Sequence, residues 1–500
     1  MILEGIDSAG SGPGATLDEL FRRAGVRRPD ALALADAPNR AGLDGTAPRR
    51  LTFAQADRAI SALAARLRRL GLPTDAVVAL QMPNTVDAVV ALLGVMRAGM
   101  IAAPLPLLWR QFDIVSALKG LGTKAIIADS AAQAHTAMLA AAELFPIRHV
   151  CGFGDGLPDG VLPLETVFAE DAHDFVQTPV RIGQAAGHAA VVTFDIAGDG
   201  IAAVARNHVQ LIAGGLVPFL EAGLAQDAKI LSAIPPASFA GLTLTLVPWL
   251  IAGGSLELVH GGDAQALAAQ CRVFDGDALV VPGPALKPLA SAGAFDGAAN
   301  ILALWRAPER LVSAAPWQEE AALIDVAAFG EVGLLAARRG ADGKPASLTR
   351  GSIEAPRGAA GAARVLEAAR GKTGTLLLRG PMVPGQAFPP GADEDRRPHI
   401  APDAAGFVDT GYACRDDGDE LLVTAPPAGL ASIGGYRFRQ PALDALVQSL
   451  DPAATLLAVP DAIMGERLAA SAPDPAAARA QLRARGVNPL ICEAFRPRAA

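Results

Sequence analysis

Cysteine is scarce and never gathers. Cys151, Cys271, Cys414 and Cys492 lie far apart in 500 residues with no CxxC spacing, which argues against a disulfide framework and a structural zinc site. Each reads as a small buried residue. Runs of lysine or arginine are missing too: 43 Lys and Arg stand against 51 Asp and Glu, a formal net charge of -8. The long-range attraction that nucleic-acid binding needs is therefore absent. The longest apolar run, LTLTLVPWLIAGGSLELV from Leu242 to Val259, is interrupted by Pro248, Gly253 and Gly254. It falls short of the roughly 20 residues of a membrane helix and reads as a core segment. The N-terminal MILEGIDSAGSGPGATLDELFRR carries neither a basic leader nor a continuous apolar stretch, so no secretory signal and a cytoplasmic location are expected. No repeat of fixed period occurs.

What is present is an alternation of short buried strands and amphipathic helices. Phe53, Ile60, Leu63, Leu67 and Leu70 follow helical spacing up to Gly71. VVALQM then reads as a strand, with Pro83 opening a helix through Val90, Leu93 and Met96 to Gly99. KAIIAD, at 124–129, is a further strand before the helical AAQAHTAMLAAAELF. This pattern predicts an α/β protein with largely parallel sheets. Two segments read as loops, Gly154 to Asp174 and Arg357 to Gly374. The composition change near 406–422 places a boundary there, giving a large unit at 1–410 and a small one at 411–500.

In AAVVTFDIAGDGIAAVARNH, at 189–208, Val191, Val192 and Phe194 read as a strand, Gly198 and Gly200 as a tight turn, and Asn207 as the N-cap of a helix bearing Leu211, Ile212 and Leu216. That outline suits a nucleotide phosphate, yet it lacks lysine and carries Asp195 and Asp199.

LTFAQADRAISALAARLRRLGL with VVALQMPNTVDAVVALLGVMRAGMIAAPL, and LAVPDAIMGERLAA at 457–470, resemble the N- and C-terminal signatures of the adenylate-forming superfamily, which holds acyl- and aryl-CoA synthetases, luciferases and adenylation domains of peptide synthetases. GTLLLRGPMVPG, at 374–385, is similar to the family's turn into the last part of the large domain. The resemblance covers almost the whole chain and implies a large domain of stacked parallel-rich sheets and helices with a small, shortened α+β C-terminal domain. It further implies activation of a carboxylic acid by ATP with magnesium, followed by transfer to CoA.

The chemistry-bearing positions of that family differ here. Ala202, Ala203 and Val204 surround the position of the phosphate-loop lysine. Two like charges about 4 Å apart repel by roughly 4 kcal/mol at an effective dielectric near 20, so Asp195 and Asp199 would oppose a triphosphate unless a metal lay between them. The simpler reading of the loop is a turn kept for packing with surface carboxylates. The family's aromatic-Gly-x-Thr-Glu run is matched by Phe329, Gly330, Glu331, Val332 and Gly333, where Glu331 reads as a solvent-facing loop residue or a shifted metal ligand and Phe329 as a face for ring stacking. The family's TGD reads Thr410, Gly411, Tyr412, and a tyrosine is no bidentate anionic acceptor. APPAGLASIGG, with Pro426 and Pro427, stands at the hinge, which stiffens a swivel. The chain given stops about where the family's final lysine segment would begin, with Arg496 and Arg498 nearby. Ser238 stands at the acyl gate and would widen the channel, with Phe239, Gly241, Trp249 and Leu250 around it as pocket lining or core. His208 matches a mostly structural family histidine.

These departures give the expectation of an acyl-CoA synthetase-like protein with an eroded ATP site, non-catalytic or impaired, and with no resident metal. It would bind an acyl or aryl carboxylate or its CoA thioester, and pair with an active synthetase or itself. The alternative is an active AMP-forming carboxylate-CoA ligase using ATP, Mg and CoA, with Glu331 and Asp195 on magnesium and Arg206 or Arg498 against phosphate.

Overall fold

Thr52 accepts from the backbone N–H of Gln55 while the Gln55 side chain accepts from the N–H of Thr52, and this capping box starts the helix Phe53–Arg69. The helix Val86–Arg97 starts from Thr85, so Pro83 lies in the preceding turn rather than opening the helix. A computed structural model of the chain describes residues 15–169, 185–260, 264–354, 364–392, 394, 397–461 and 465–496. It is a mixed α/β structure with two parallel-rich sheets, as the sequence pattern implies.

The first sheet has seven strands in the order Leu162–Pro163, His149–Phe153, Ala125–Asp129, Val77–Gln81, Ile101–Pro104, Ala189–Ala197, Gly200–Asn207. The second has eight, running from Gly333–Arg338 through Ala322–Phe329, Asn300–Trp305, Ala278–Pro282, Ile230–Ser232, Leu256–Leu258 and Leu32–Asp36 to Arg50–Thr52. Strand alternation splits their side chains between layers. Val78 and Leu80 join a core shared with the second sheet and the helices Phe53–Arg69, Val86–Arg97 and His208–Ala222, whereas Val77 and Ala79 face an outer cluster. Trp249 and Leu250 belong to the shared core: the Trp249 indole packs on Phe21 and Phe53, and its Nε1 donates to the Gly254 carbonyl at 2.9 Å. All four cysteines are buried thiols, and burial pushes Cys151 and Cys271 up to about 12.

A third, antiparallel sheet of six strands includes Arg364–Arg370, Thr375–Arg379, Val408–Asp417 and Glu420–Ala425. One expectation changes here. Arg364–Arg370 is a paired strand within the segment expected to be a loop, because Val365, Leu366 and Ala368 are buried beneath it. The strand Val408–Asp417 runs through positions 410 and 411, pairing with Thr375–Arg379 at Val408, Asp409 and Ala413 and with Glu420–Ala425 from Ala413 onward. Beyond Ala425 the chain forms the hairpin Leu430–Ile433/Tyr436–Arg439, the helix Gln440–Gln448, the hairpin Thr455–Asp461/Gly465–Ser471 and two short helices, around a core of their own. In the other segment expected to be a loop, Leu162–Pro163 pairs with the first sheet and Glu165–Phe168 forms a 3-10 turn, while 170–174 lie outside the described residues.

Candidate functional site

The carboxyl ends of the parallel strands Ile101–Pro104, Ala278–Pro282 and Asn300–Trp305 open toward one cleft of about 1030 Å³ between the two large sheets. That is where open α/β sheets hold ligands, since helix ends and loops converge there. Trp109 and Phe194 form an aromatic wall from the first sheet, with ring centroids 5.6 Å apart. Trp305 forms the facing wall: its Nε1 donates to Asp325 Oδ1 at 2.8 Å, and a Cβ on Gly283 would sit 2.5 Å from its ring. Both walls are thereby fixed before any ligand arrives.

The expected phosphate turn is a β-hairpin. Ala197 pairs with Gly200, and a second strand, Gly200–Asn207, separates the turn from the helix. Asn207 is the N-cap as expected, accepting from Gln210 N at 2.8 Å. The extra strand was hard to see in GIAAVARN because alanine alternates without a strong hydrophobic contrast. Gly198 and Asp199 are exposed at the tip, and nothing lies within 4 Å of a Cβ placed on Gly198. Packing therefore does not require Gly198, although a Cβ on Gly200 would meet Pro398 at 2.9 Å.

Asp195, read as a surface carboxylate, is buried and engaged on both oxygens. Oδ1 accepts from Arg437 Nη1 at 2.6 Å and from Ile196 N at 2.8 Å, and Oδ2 accepts from Glu331 N at 2.9 Å. Arg437 comes from the C-terminal hairpin. Although burial disfavours its charge, Asp195 and Tyr412 beside it hold its guanidinium above the usual value. A second Arg437 nitrogen donates to the Tyr412 hydroxyl, which donates in turn to the Arg306 carbonyl at 3.2 Å. Gly330, at φ +58°, makes room for this pair, since a Cβ there would lie 2.3 Å from Asp195 Oδ2.

Glu331 is buried, not solvent-facing. Its Oε2 accepts from Phe239 N at 2.8 Å, and burial raises its pKa against the attraction of Arg206. Arg206 lies over the Phe239 ring at 3.8 Å and donates to the carbonyls of Met382, Glu331 and Val332. Burial lowers its pKa to about 10. It staples three segments together and does not line the cleft. Phe239 and Gly241 are likewise core rather than pocket: Phe239 is fully buried, and a Cβ on Gly241 would meet the Pro235 carbonyl at 2.1 Å. Phe329 meets Tyr412 edge-on at 5.7 Å, so its expected stacking partner is a side chain of this chain.

Ser238 does line the cleft, where its Oγ accepts from Arg306 Nη2 at 2.9 Å and caps Gly241 N at 3.1 Å. Arg306, Arg437 and Tyr436 are the site residues that sequence reading missed. Tyr436 accepts from Leu108 N at 3.1 Å through its hydroxyl. A signal was available, because the chain has two tyrosines, Tyr412 and Tyr436, and both end here. His208 is structural: its Nδ1 accepts from Leu17 N at 3.3 Å, and burial lowers its pKa to about 4. Arg496 is exposed and pairs with Glu493, and Arg498 lies outside the described residues.

Residues 21–179 match the family model of AMP-binding enzymes. The chain is 40% identical over 94 residues to the salicyl-AMP ligase/salicyl-S-ArCP synthetase of Mycobacterium tuberculosis, covering 19% of this chain and 16% of that protein. It is 32% identical over 109 residues to the beauvericin nonribosomal cyclodepsipeptide synthetase BEA1 of Gibberella fujikuroi, covering 21% of this chain and 3% of that one. Those sequence matches thus span a minor part of either relative. In structure the chain resembles the amide bond synthetase McbA of Marinactinospora thermotolerans, with a TM-score of 0.72 at 18% identity over 95% of this chain and 94% of that one. That likeness is one of fold.

Proposed function

We propose, for a chain with an AMP-binding segment at 21–179 and the fold of the adenylate-forming superfamily, that it is a non-catalytic or impaired acyl-CoA synthetase-like protein. In this reading it takes an acyl or aryl carboxylate, or its thioester, into the cleft between the two large sheets, alone or beside an active relative. A division into a large unit at 1–410 and a small one at 411–500 is part of the same reading.

The observation that carries it is the Asp195–Arg437 pair. A phosphate loop must offer unpaired donors to anionic oxygen. Here the strand leading to the loop offers a carboxylate, and the cation nearest it is already matched. The two carboxylates nearest the loop are already engaged within the chain: both Asp195 oxygens accept hydrogen bonds, and one Glu331 oxygen accepts from Phe239 N. Tyr412, where the family has a ribose-binding aspartate, spends its hydroxyl on Arg437 and the Arg306 carbonyl.

Calorimetric titration with Mg-ATP tests this, together with pyrophosphate release over a panel of carboxylic acids. The expected Kd is about millimolar or weaker, so 0.1 mM ATP stabilises by only about 0.1 kcal/mol, and no pyrophosphate is released. Binding in the micromolar range with turnover would replace this reading with a working ligase whose groups have been relocated.

A further inference from the structure

Where the helices Leu17–Arg27, Phe53–Arg69 and Val86–Arg97 meet, Arg22, Arg68 and Arg97 gather about one carboxylate, Asp18. Asp18 holds Arg22 at 3.1 Å and Arg97 at 2.6 Å. Arg97 is buried and satisfied, since Asp57 Oδ1 at 2.8 Å, the Asp57 carbonyl and Ser61 Oγ take further donors. Arg68 is not. Among the described residues its guanidinium makes one hydrogen bond, from Nη2 to the Arg97 carbonyl at 2.5 Å, and no ion pair, while its Nε is buried without an acceptor. Desolvation pushes its pKa down, and the nearby charges are two guanidiniums, Arg22 and Arg97, against the Asp18 carboxylate. One cation is enough to cap the end of Val86–Arg97. A second, Arg22, stands beside it with its side chain 38% exposed. Like charges held this close repel, and Asp18 is already shared with Arg97. None of these four residues lines the cleft.

We infer that Arg22 and Arg68 form a second anion site, apart from the cleft, whose ligand is a phosphate group. The site stands whatever the cleft binds. A carboxylate fills one guanidinium fork, whereas a phosphate has oxygens enough to meet two forks at once. Arg66 and Arg69, in the same last turn of Phe53–Arg69, add to the positive field that draws such a group in. Asp18 does not block it, because its charge is divided between Arg22 and Arg97. The chemistry is common to a free phosphate and to a lipid headgroup. Val26, 84% exposed and one helical turn on from Arg22, stands on the same face of its helix as an apolar contact beside the second of these.

The test titrates the full chain with inorganic phosphate by calorimetry at low salt, with chloride at equal ionic strength as the blank. Vesicles of phosphatidylcholine with and without phosphatidic acid are sedimented with the same protein. The wild type should bind phosphate, the acidic vesicles or both. Arg68→Gln and Arg22→Gln should each weaken that binding tenfold or more, the scale of a charge-assisted pair, and Arg68→Lys should restore part of it. Lys287→Gln, in the cleft wall, should change nothing. Vesicle binding assigns the site to a headgroup, and phosphate binding without it assigns the site to a soluble phosphate. A wild type that binds neither overturns the inference. So does binding that survives in both glutamine variants, or that is lost in Lys287→Gln, which would put the phosphate in the cleft. Should Arg68→Gln fail to fold, Arg22→Gln, at its partly exposed position, decides alone.

Discussion

At the scale of single residues, burial and partner decide what each ionisable group does. His208 illustrates this with a definite sign. Desolvation, with His188 nearby, lowers its folded pKa to about 4 from an ordinary 6.5, so between these values the unfolded chain binds a proton that the folded chain refuses. Stability contributed by neutral His208 is full above about pH 6.5 and is lost as pH falls toward 4. A shift of this size corresponds to at most about 3 kcal/mol. Urea unfolding at pH 7 and pH 5 should show the wild type losing more stability on acidification than His208→Gln; an equal loss in both would remove His208 from the account. Glu331 makes the opposite point, since a glutamate in a Gly-rich turn reads as exposed until Phe239 N and Arg206 are seen around it.

Elements join these residues across long stretches of sequence. The C-terminal hairpin Leu430–Ile433/Tyr436–Arg439 reaches the hairpin Ala189–Ala197/Gly200–Asn207 through Arg437 and Asp195, whose side chains are only 12% and 10% exposed. Removing one member of such a pair leaves the other desolvated and unmatched, which costs about 3 kcal/mol or more. Arg437→Gln should therefore speed amide hydrogen exchange in 430–439 by tenfold or more, with the core strand Val77–Gln81 unaffected. Unchanged exchange in the hairpin would mean that Tyr436 and the surrounding apolar packing hold it without the ion pair.

For the whole molecule, the expected consequence is a small unit with one resting position. A small domain that takes two orientations needs a linker that absorbs the φ/ψ change. Here Pro426 and Pro427 restrict the linker, Pro427 packs 3.1 Å from where a Cβ of Gly411 would be, and Arg437 latches the far side. A ligand moves such an equilibrium only through different affinities for its states. Labels attached through Phe145→Cys and Leu457→Cys, both at exposed positions, should keep one distance distribution with ATP, AMP or CoA added. A nucleotide-dependent change above about 10 Å, well beyond ordinary loop adjustment, would count for the working ligase and against the latched form.

The sequence by itself determined the local and repetitive features. Helical spacing and a cap marked Phe53–Arg69, Asn207 announced its helix, and the apolar run from Leu242 read correctly as core, because caps and periodicity act over a few neighbouring residues. The departures at Asp195, Glu331 and Tyr412 were legible as changes of residue type. Their partners were not. Asp195 finds Arg437 at 242 residues' separation and Glu331 finds Phe239 at 92, so only the packing of one hairpin against another, and of two sheets around one cleft, could show which charges cancel. The same packing sets Arg206, Arg306 and Arg437 about the buried Asp195 and Glu331. Residue type alone could not show this, since every arginine carries the same charge and tertiary burial decides which carboxylate it meets.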